Sequence, residues 1–259
     1  MSALVLVERD GAVARLVLNR PARHNSLVPE LLRALLAALD ACEADDGVRA
    51  LVLAHAGPSF STGGDVRAFY QQGENIAAYG AELVGLLNEA IVRLAACAKP
   101  VVAAVDGTVT GGALGLVLAC DIVLVSARAS FTPYYVDVGF SPDGGWTAML
   151  PAFIGSARAR SVQLLNQRIS AEQALAWGMA TKLVASIDMA DQALASARAV
   201  AAKVAGSVRR TRALLGPDLP QLLDALERER SEFLQQVVST EAQQGMQRFL
   251  SQGSQAVQR

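Results

Sequence analysis

Two glycine turns, each following an apolar run, constrain the folding of this 259-residue chain more than any other feature. Phe60-Ser61-Thr62-Gly63-Gly64-Asp65 comes after Val48 to Ala54, and Asp106-Gly107-Thr108-Val109-Thr110-Gly111-Gly112-Ala113 comes after Val101 to Val105. Apolar runs of this kind read as buried parallel strands. Glycine in the turn behind such a strand lets the backbone come close to a ligand, and amide N–H groups there can face a developing negative charge, as in an oxyanion hole. The second turn also opens an apolar helix, Ala113 to Cys120, whose positive dipole end faces the same spot.

The rest of the chain repeats strand, strand, helix. Residues 4–7 and 13–18 form a predicted hairpin around Asp10-Gly11, and Leu31, Leu32, Leu35, Leu36 and Leu39 mark one face of a helix starting at Pro29. Val28 supplies no capping side chain for that start. A second helix is predicted over 76–97, stopping before Lys99-Pro100. Ile122 to Val125 and Ser130-Phe131 read as strands, and Gly139, Pro142, Gly144 and Gly145 mark a loop. Ser170 and Gln173 form a capping box for a helix over 171–177 that Gly178 ends. Amphipathic helices are expected at Ala193 to Val204, Leu219 to Val238 and Thr240 to Leu250, with Ser251 to Arg259 as a loose tail. The expected division is a 1–190 core and a 191–259 helical cap or subunit contact.

Composition narrows the function classes. Hydrophobic residues are 52 % and charged residues 18 %, which suits a large buried core or a subunit contact. The 23 Lys and Arg nearly balance 24 Asp and Glu, so nucleic acid and anionic membranes are not expected partners. Cys42, Cys97 and Cys120 lack paired or metal-like spacing and read as buried free thiols in a reducing compartment. Met1 to Val7 lacks a basic leader, and Val101 to Val125 is interrupted by acids and glycines, so a cytoplasmic protein without a membrane span is expected. His24 and His55 have no helical metal spacing; neither a metal centre nor a Ser/His/Asp triad is expected, and both read as surface or loop residues.

Asn19-Arg20-Pro21, Asn25-Ser26-Leu27, the Phe60 to Asp65 turn, Lys99 to Gly107, Gly111-Gly112, Ala119-Cys120-Asp121 and Ile169-Ser170-Ala171 occur in an order that resembles the enoyl-CoA hydratase/isomerase (crotonase) family across roughly residues 5–185. The resemblance implies an α/β fold, a crotonase-like spiral of ββα units with a helical C-terminal part, assembled as a homotrimer or dimer of trimers and acting on acyl-CoA thioesters with no cofactor beyond the CoA of the substrate. It implies that the N–H groups of Gly64 and Gly112 hold the thioester oxygen.

The departures from the family pattern bear on the reaction. Family hydratases carry two glutamates, and the corresponding positions here hold Gly115 and Tyr135. Glycine has no side chain and a phenol titrates near pH 10, so neither replaces a carboxylate. Asp143, in Phe140-Ser141-Pro142-Asp143-Gly144-Gly145, matches the acidic position of the Δ3,Δ2-enoyl-CoA, dienoyl and ring-epoxide isomerases. One carboxylate suffices to move a proton from C2 to C4, so isomerisation of a 3-enoyl to a 2-enoyl thioester is the expected chemistry. A ring-epoxide thioester isomerase, a catalytically silent acyl-CoA-binding subunit and a residual hydratase are the alternatives. Asp137 is the reserve acid, and Asp65 is expected as a helix cap. Arg23 is expected near the CoA phosphates, and Ser59, Ser61, Gly63 and Asp65 along the CoA. Phe69, Tyr70, Tyr134, Tyr135 and Trp146 are candidate acyl-chain walls.

Overall fold

The structure, a computed structural model, describes residues 3–256. Strands β1 (Val5–Asp10) and β2 (Val13–Leu18) form the antiparallel hairpin, and helix α1 (Pro29–Ala44) follows with Pro29 in its first turn and no side-chain cap. Then come β3 (Ala50–His55), β4 (Ser59–Ser61), α2 (Val66–Gln71) and α3 (Ile76–Ala96). The next turn of the spiral is β5 (Val101–Val105), β6 (Thr108–Thr110) and α4 (Ala113–Leu118). The third is β7 (Ile122–Ser126), β8 (Ser130–Thr132) and the four-residue helix α5 (Tyr135–Val138).

Each turn gives one strand to each of two sheets. The larger runs β1-β2-β3-β5-β7 to a last strand β10 and is parallel from β2 onward; the smaller runs β4-β6-β8 to β9. Between these lie α6 (Leu150–Ile154), α7 (Ser156–Leu164), β9 (Ile169–Ser170), α8 (Ala171–Ala176) with its capping box, and β10 (Lys182–Val184). The chain ends in α9 (Met189–Ala201), α10 (Ala205–Leu215), α11 (Leu219–Val237) and α12 (Thr240–Ala256).

Two apolar layers flank the larger sheet. Residues of β3 and β5 alternate between a main core, shared with α1, α3 and α11, and a second layer under α9. Ala193, Ala197 and Ala201 let α9 lie close on Ala50, Val52, Val102 and Ala104. On the other side α11 rests on α3 through Leu222, Leu226 and Phe233.

Several expectations change. The 190/191 boundary falls inside the first turn of α9, and α11 contributes to the main core. α10 has no counterpart among the expected helices, and none of its residues is buried. The expected tail is helical as far as Ala256, and Val257 to Arg259 lie outside the described residues. The loop expected after β8 begins with α5, entered through Tyr134 at φ 63° and left through Gly139 at φ 88°. His55 is not a surface residue: it ends β3 partly buried, its Nε2 accepting from Asp106 N–H at 3.2 Å, and burial pushes its pKa down.

Candidate active site

The two glycine turns pack against each other at the ends of β4 and β6. Gly63 sits at φ 69°, and a Cβ on it would lie 2.6 Å from the Thr110 carbonyl oxygen, so only glycine permits this approach. Leu27 N–H donates to the Gly63 carbonyl at 2.7 Å, and Asp65 N–H donates to the Leu27 carbonyl at 3.2 Å. These bonds use the peptide groups on both sides of Gly64 but not its own N–H. The N–H groups of Gly64 and Gly112 donate to no acceptor among the described residues, and both glycines line one cavity of about 460 Å³.

Asp143 lies against the second glycine. A methyl placed on Gly112 would come within 3.2 Å of Asp143 Oδ1 and 3.5 Å of Oδ2. The carboxyl is buried, and the hydroxyl of Tyr135 donates to it in a short hydrogen bond and to the Asp143 carbonyl at 3.0 Å. Burial is the main cause of an Asp143 pKa raised to about 7; the Tyr135 hydrogen bond opposes that rise, and the charge of Glu229 adds to it. Burial and the neighbouring Asp143 charge push the Tyr135 phenol well above its ordinary value, so it stays a donor. A carboxyl titrating close to neutrality suits proton transfer in both directions.

The loop carrying Asp143 is wedged in place. Gly144 sits at φ 60°, and a Cβ there would be 2.3 Å from Gly112 Cα. Trp146 is fully buried behind the turn, and its indole N–H donates to the Gly111 carbonyl at 2.7 Å. The position of the missing glutamate is filled: a Cβ on Gly115 would meet Ile91 Cδ1 at 2.4 Å and the Gly144 carbonyl oxygen at 2.5 Å.

The other expected residues divide. Arg23 stands at the cavity mouth, its Nη2 3.0 Å from Asp65 Oδ2. Asp65 caps α2 by accepting from Ala68 N–H. Burial acts to raise the Asp65 pKa, but hydrogen bonds from Arg23, Ala68 N–H and Arg20 outweigh it and hold the carboxyl below its ordinary value. Phe69, Tyr134 and Tyr135 line the cavity. Ser59, Ser61, Gly63, Tyr70 and Trp146 do not line it. Ser61 is turned inward, donating to the Asn25 carbonyl at 2.8 Å and accepting from Gly63 N–H at 3.2 Å, while Ser59 Oγ lies 3.1 Å from His24 Nδ1. Asp137 is excluded as a reserve acid by direction: it is exposed on the outer side of α5 and accepts from Asn166.

Sequence reasoning missed Arg67 at the mouth and Phe140, Phe233, Phe249 and Leu250 in the walls. Phe69, Phe140 and Phe233 form a triangle of tilted and edge-on rings with centroids 5.4 to 5.7 Å apart. It also missed Glu229, a buried carboxylate of α11 that accepts from Gly145 N–H at 2.8 Å, Thr147 N–H at 2.6 Å, Thr147 Oγ1 at 2.7 Å and Ala148 N–H at 2.8 Å. A signal was present: Leu222, Leu226, Glu229, Phe233 and Val237 are the buried face of α11, and an acid in such a stripe needs a polar partner.

Comparison with known proteins shows the family and the fold. The family profile described as enoyl-CoA hydratase/isomerase matches residues 8–257. The chain is 36 % identical over 202 residues to the 1,2-epoxyphenylacetyl-CoA isomerase of Escherichia coli, covering 78 % of this chain and 77 % of the relative. It is 33 % identical over 199 residues to 4-chlorobenzoyl coenzyme A dehalogenase-2 of an Arthrobacter species, covering 76 % and 72 %. Among solved structures, an enoyl-CoA hydratase/isomerase from Xanthobacter autotrophicus superposes with a TM-score of 0.86 at 32 % identity, over 93 % of this chain and 91 % of that one. The spiral, the paired glycine turns and these similarities lead to one conclusion: the chain belongs to the enoyl-CoA hydratase/isomerase family.

Proposed function

We propose that this protein is an acyl-CoA isomerase that shifts a double bond from the 3- to the 2-position of an enoyl thioester. The observation that carries this reading is the buried carboxyl of Asp143, raised to about 7 and lying against Gly112 in the cavity that Gly64 also lines, with the Gly115 position closed to a second acid. In the proposed reaction the Asp143 carboxylate removes a proton from C2, and the electron pair moves into the thioester carbonyl. The resulting enolate oxygen is held by the N–H groups of Gly64 and Gly112. The electrons return through the conjugated system as Asp143 delivers the proton to C4, so the carboxylate is regenerated. Atoms and oxidation state balance, and the step calls for no redox partner.

The cavity-lining carboxylates are Asp65 and Asp143. Asp65 is committed to two arginines and a helix cap, which leaves the proton to Asp143. The test is conversion of a 3-enoyl-CoA to the conjugated thioester, followed by absorbance beside hydration of a 2-enoyl-CoA. Isomerisation with background hydration supports the reading; the reverse pattern overturns it. A ring-bearing thioester is the second reading, favoured by the Phe69, Phe140 and Phe233 triangle and by the similarity to an epoxyphenylacetyl-CoA isomerase. A panel containing 1,2-epoxyphenylacetyl-CoA and 4-chlorobenzoyl-CoA separates it from an aliphatic preference.

Two substitutions probe the site further. Gly115→Glu is expected to leave hydration at background and to destabilise the fold by about 1–3 kcal/mol, because its side chain starts inside Ile91 and the Gly144 backbone; thermal melting and the hydration assay check both parts. Tyr135→Phe removes the hydrogen bond that favours the Asp143 carboxylate. The acid limb of its kcat/KM profile is therefore expected at higher pH, with kcat reduced about tenfold.

A further inference from the structure

Glu229 is a buried, 4 % exposed carboxylate that no part of the proposed reaction uses. It lies on α11, far along the chain from the turns that form the cavity. Its two oxygens collect four donors within a four-residue stretch, Gly145, Thr147 and Ala148, directly behind Asp143. Backbone amides exposed in sequence like this make an anion nest, and here the chain supplies the anion itself.

The bonds act on a segment that is fixed on its other sides as well. Gly144 presses on Gly112 and Gly115, Trp146 is tied to the Gly111 carbonyl, and Tyr135 holds the Asp143 carbonyl. Glu229 therefore opposes the glycine turn across the Asp143 loop. Moving the loop away from Gly112 requires breaking charge-assisted hydrogen bonds, which are stronger than neutral ones.

We infer that Glu229 is the positioning residue of this site: it clamps the 145–148 turn and so holds the Asp143 carboxyl in place beside Gly112. The titratable groups acting on Asp143 are Tyr135 from α5 and Glu229 from α11. The α4 turn presents backbone at Gly112 and Gly115, and α3 presents Leu87 and Ile91, none of which titrates. The two titratable neighbours act in opposite directions. The phenol favours the ionised form of Asp143, and the Glu229 carboxylate opposes it. Glu229 itself keeps a raised pKa, burial being the main cause, and its four donors offset part of that rise.

The kinetic arm of the test rests on the isomerase reading; the spectroscopic arm does not. Glu229→Gln retains size and loses the charge. Its expected effects are a kcat lowered by about 10- to 100-fold with KM little changed, since small displacements of a reacting group cost this much, and an acid limb of kcat/KM moved down by about half a unit or more. Independently, the Asp143 carboxyl is titrated by infrared difference spectroscopy, its band assigned by its disappearance in Asp143→Asn. In Glu229→Gln this titration is expected to move down in step with the kinetic limb. Glu229→Asp keeps the charge but shortens the reach, so kcat falls while the limb and the band stay at their wild-type pH. An unmoved Asp143 titration in Glu229→Gln overturns the electrostatic part, and a Glu229→Gln kcat equal to that of an isomerising wild type overturns the clamp. If Glu229→Gln fails to fold, Glu229→Asp decides the clamp by the same split between kcat and KM. A wild-type protein inactive on every thioester, with a band that still moves in Glu229→Gln, would mean that the functional reading failed and the coupling stands.

Discussion

Asp143→Asn is expected to lower the isomerisation rate by roughly two to four orders of magnitude, the range that general acid–base catalysis supplies. Asparagine still accepts from the Tyr135 hydroxyl and nearly matches the carboxyl in shape, so acyl-CoA binding should persist while kcat collapses. The same substitution carries a stability signature. Asp143 titrates near 7 in the folded chain against 3.8 for the ordinary group, mainly because burial disfavours its charge. A raised carboxyl pKa means that the native state holds a proton the unfolded chain releases. Wild-type stability from this group is therefore greatest below about pH 4 and falls as pH rises towards 7. Asparagine has no such titration, so the stability difference between variant and wild type should drift in favour of the variant between about pH 4 and 8, by at most about 4 kcal/mol. Denaturant unfolding at several pH values, with turnover measured on the same samples, checks both parts. A variant that keeps near wild-type turnover removes Asp143 from the chemistry.

Gly112→Ala is the second large effect, and its origin differs. Gly112 has φ −57° and ψ −12°, helical values that alanine adopts without strain, so the backbone tolerates the change. The added methyl, however, points at Leu87 Cδ2 at 2.4 Å and Asp143 Oδ1 at 3.2 Å. The leucine can turn aside, but the carboxylate is held by Tyr135 and by its own loop. The methyl thus intrudes between Gly112 and Asp143, in the cavity where the proposed reaction puts the thioester. A loss of about 10²- to 10³-fold in kcat, comparable to losing one oxyanion donor, is expected with a folded protein. Steady-state kinetics beside a circular dichroism melt tests it; an unfolded variant would show that Leu87 cannot yield.

The spiral was legible because its signals are local. Paired strands, Pro29 at a helix start, the Ser170 and Gln173 capping box and the two glycine turns each declare themselves within a few residues. Gly64, Gly112, Tyr135 and Asp143 were named as the candidate inner site from the resemblance to the family, and the turns that carry the two glycines are local signals of the same kind. The walls were not. Phe233, Phe249 and Glu229 reach the cavity and its supporting loop from helices whose sequence says only that one face is buried, and which surface they meet is a tertiary outcome. Trp146 misled because an aromatic beside an acidic loop fits a pocket wall as well as a buried support, and its bond to Gly111 decides the matter. α5 escaped notice since Tyr135 to Val138 alternates like a strand; its single turn is held from outside, by Tyr134 N–H donating to Asn166 at 2.8 Å and by α12 pressing on it at Gly245.

That last contact bears on the order of synthesis. Gly245 fits so closely on Val138 that a methyl would sit 2.0 Å from its carbonyl oxygen, and the same helix brings Phe249 and Leu250 to the cavity. The acid, both amides and the phenol all precede residue 144, yet their surroundings are completed by residues 229 to 250. A nascent chain can close every turn of its spiral while still threaded through the ribosome and yet hold no finished cavity. Competence for chemistry then waits on α11 and α12, and because α11 also packs into the main core, loss of these helices would open the cavity and expose core side chains together.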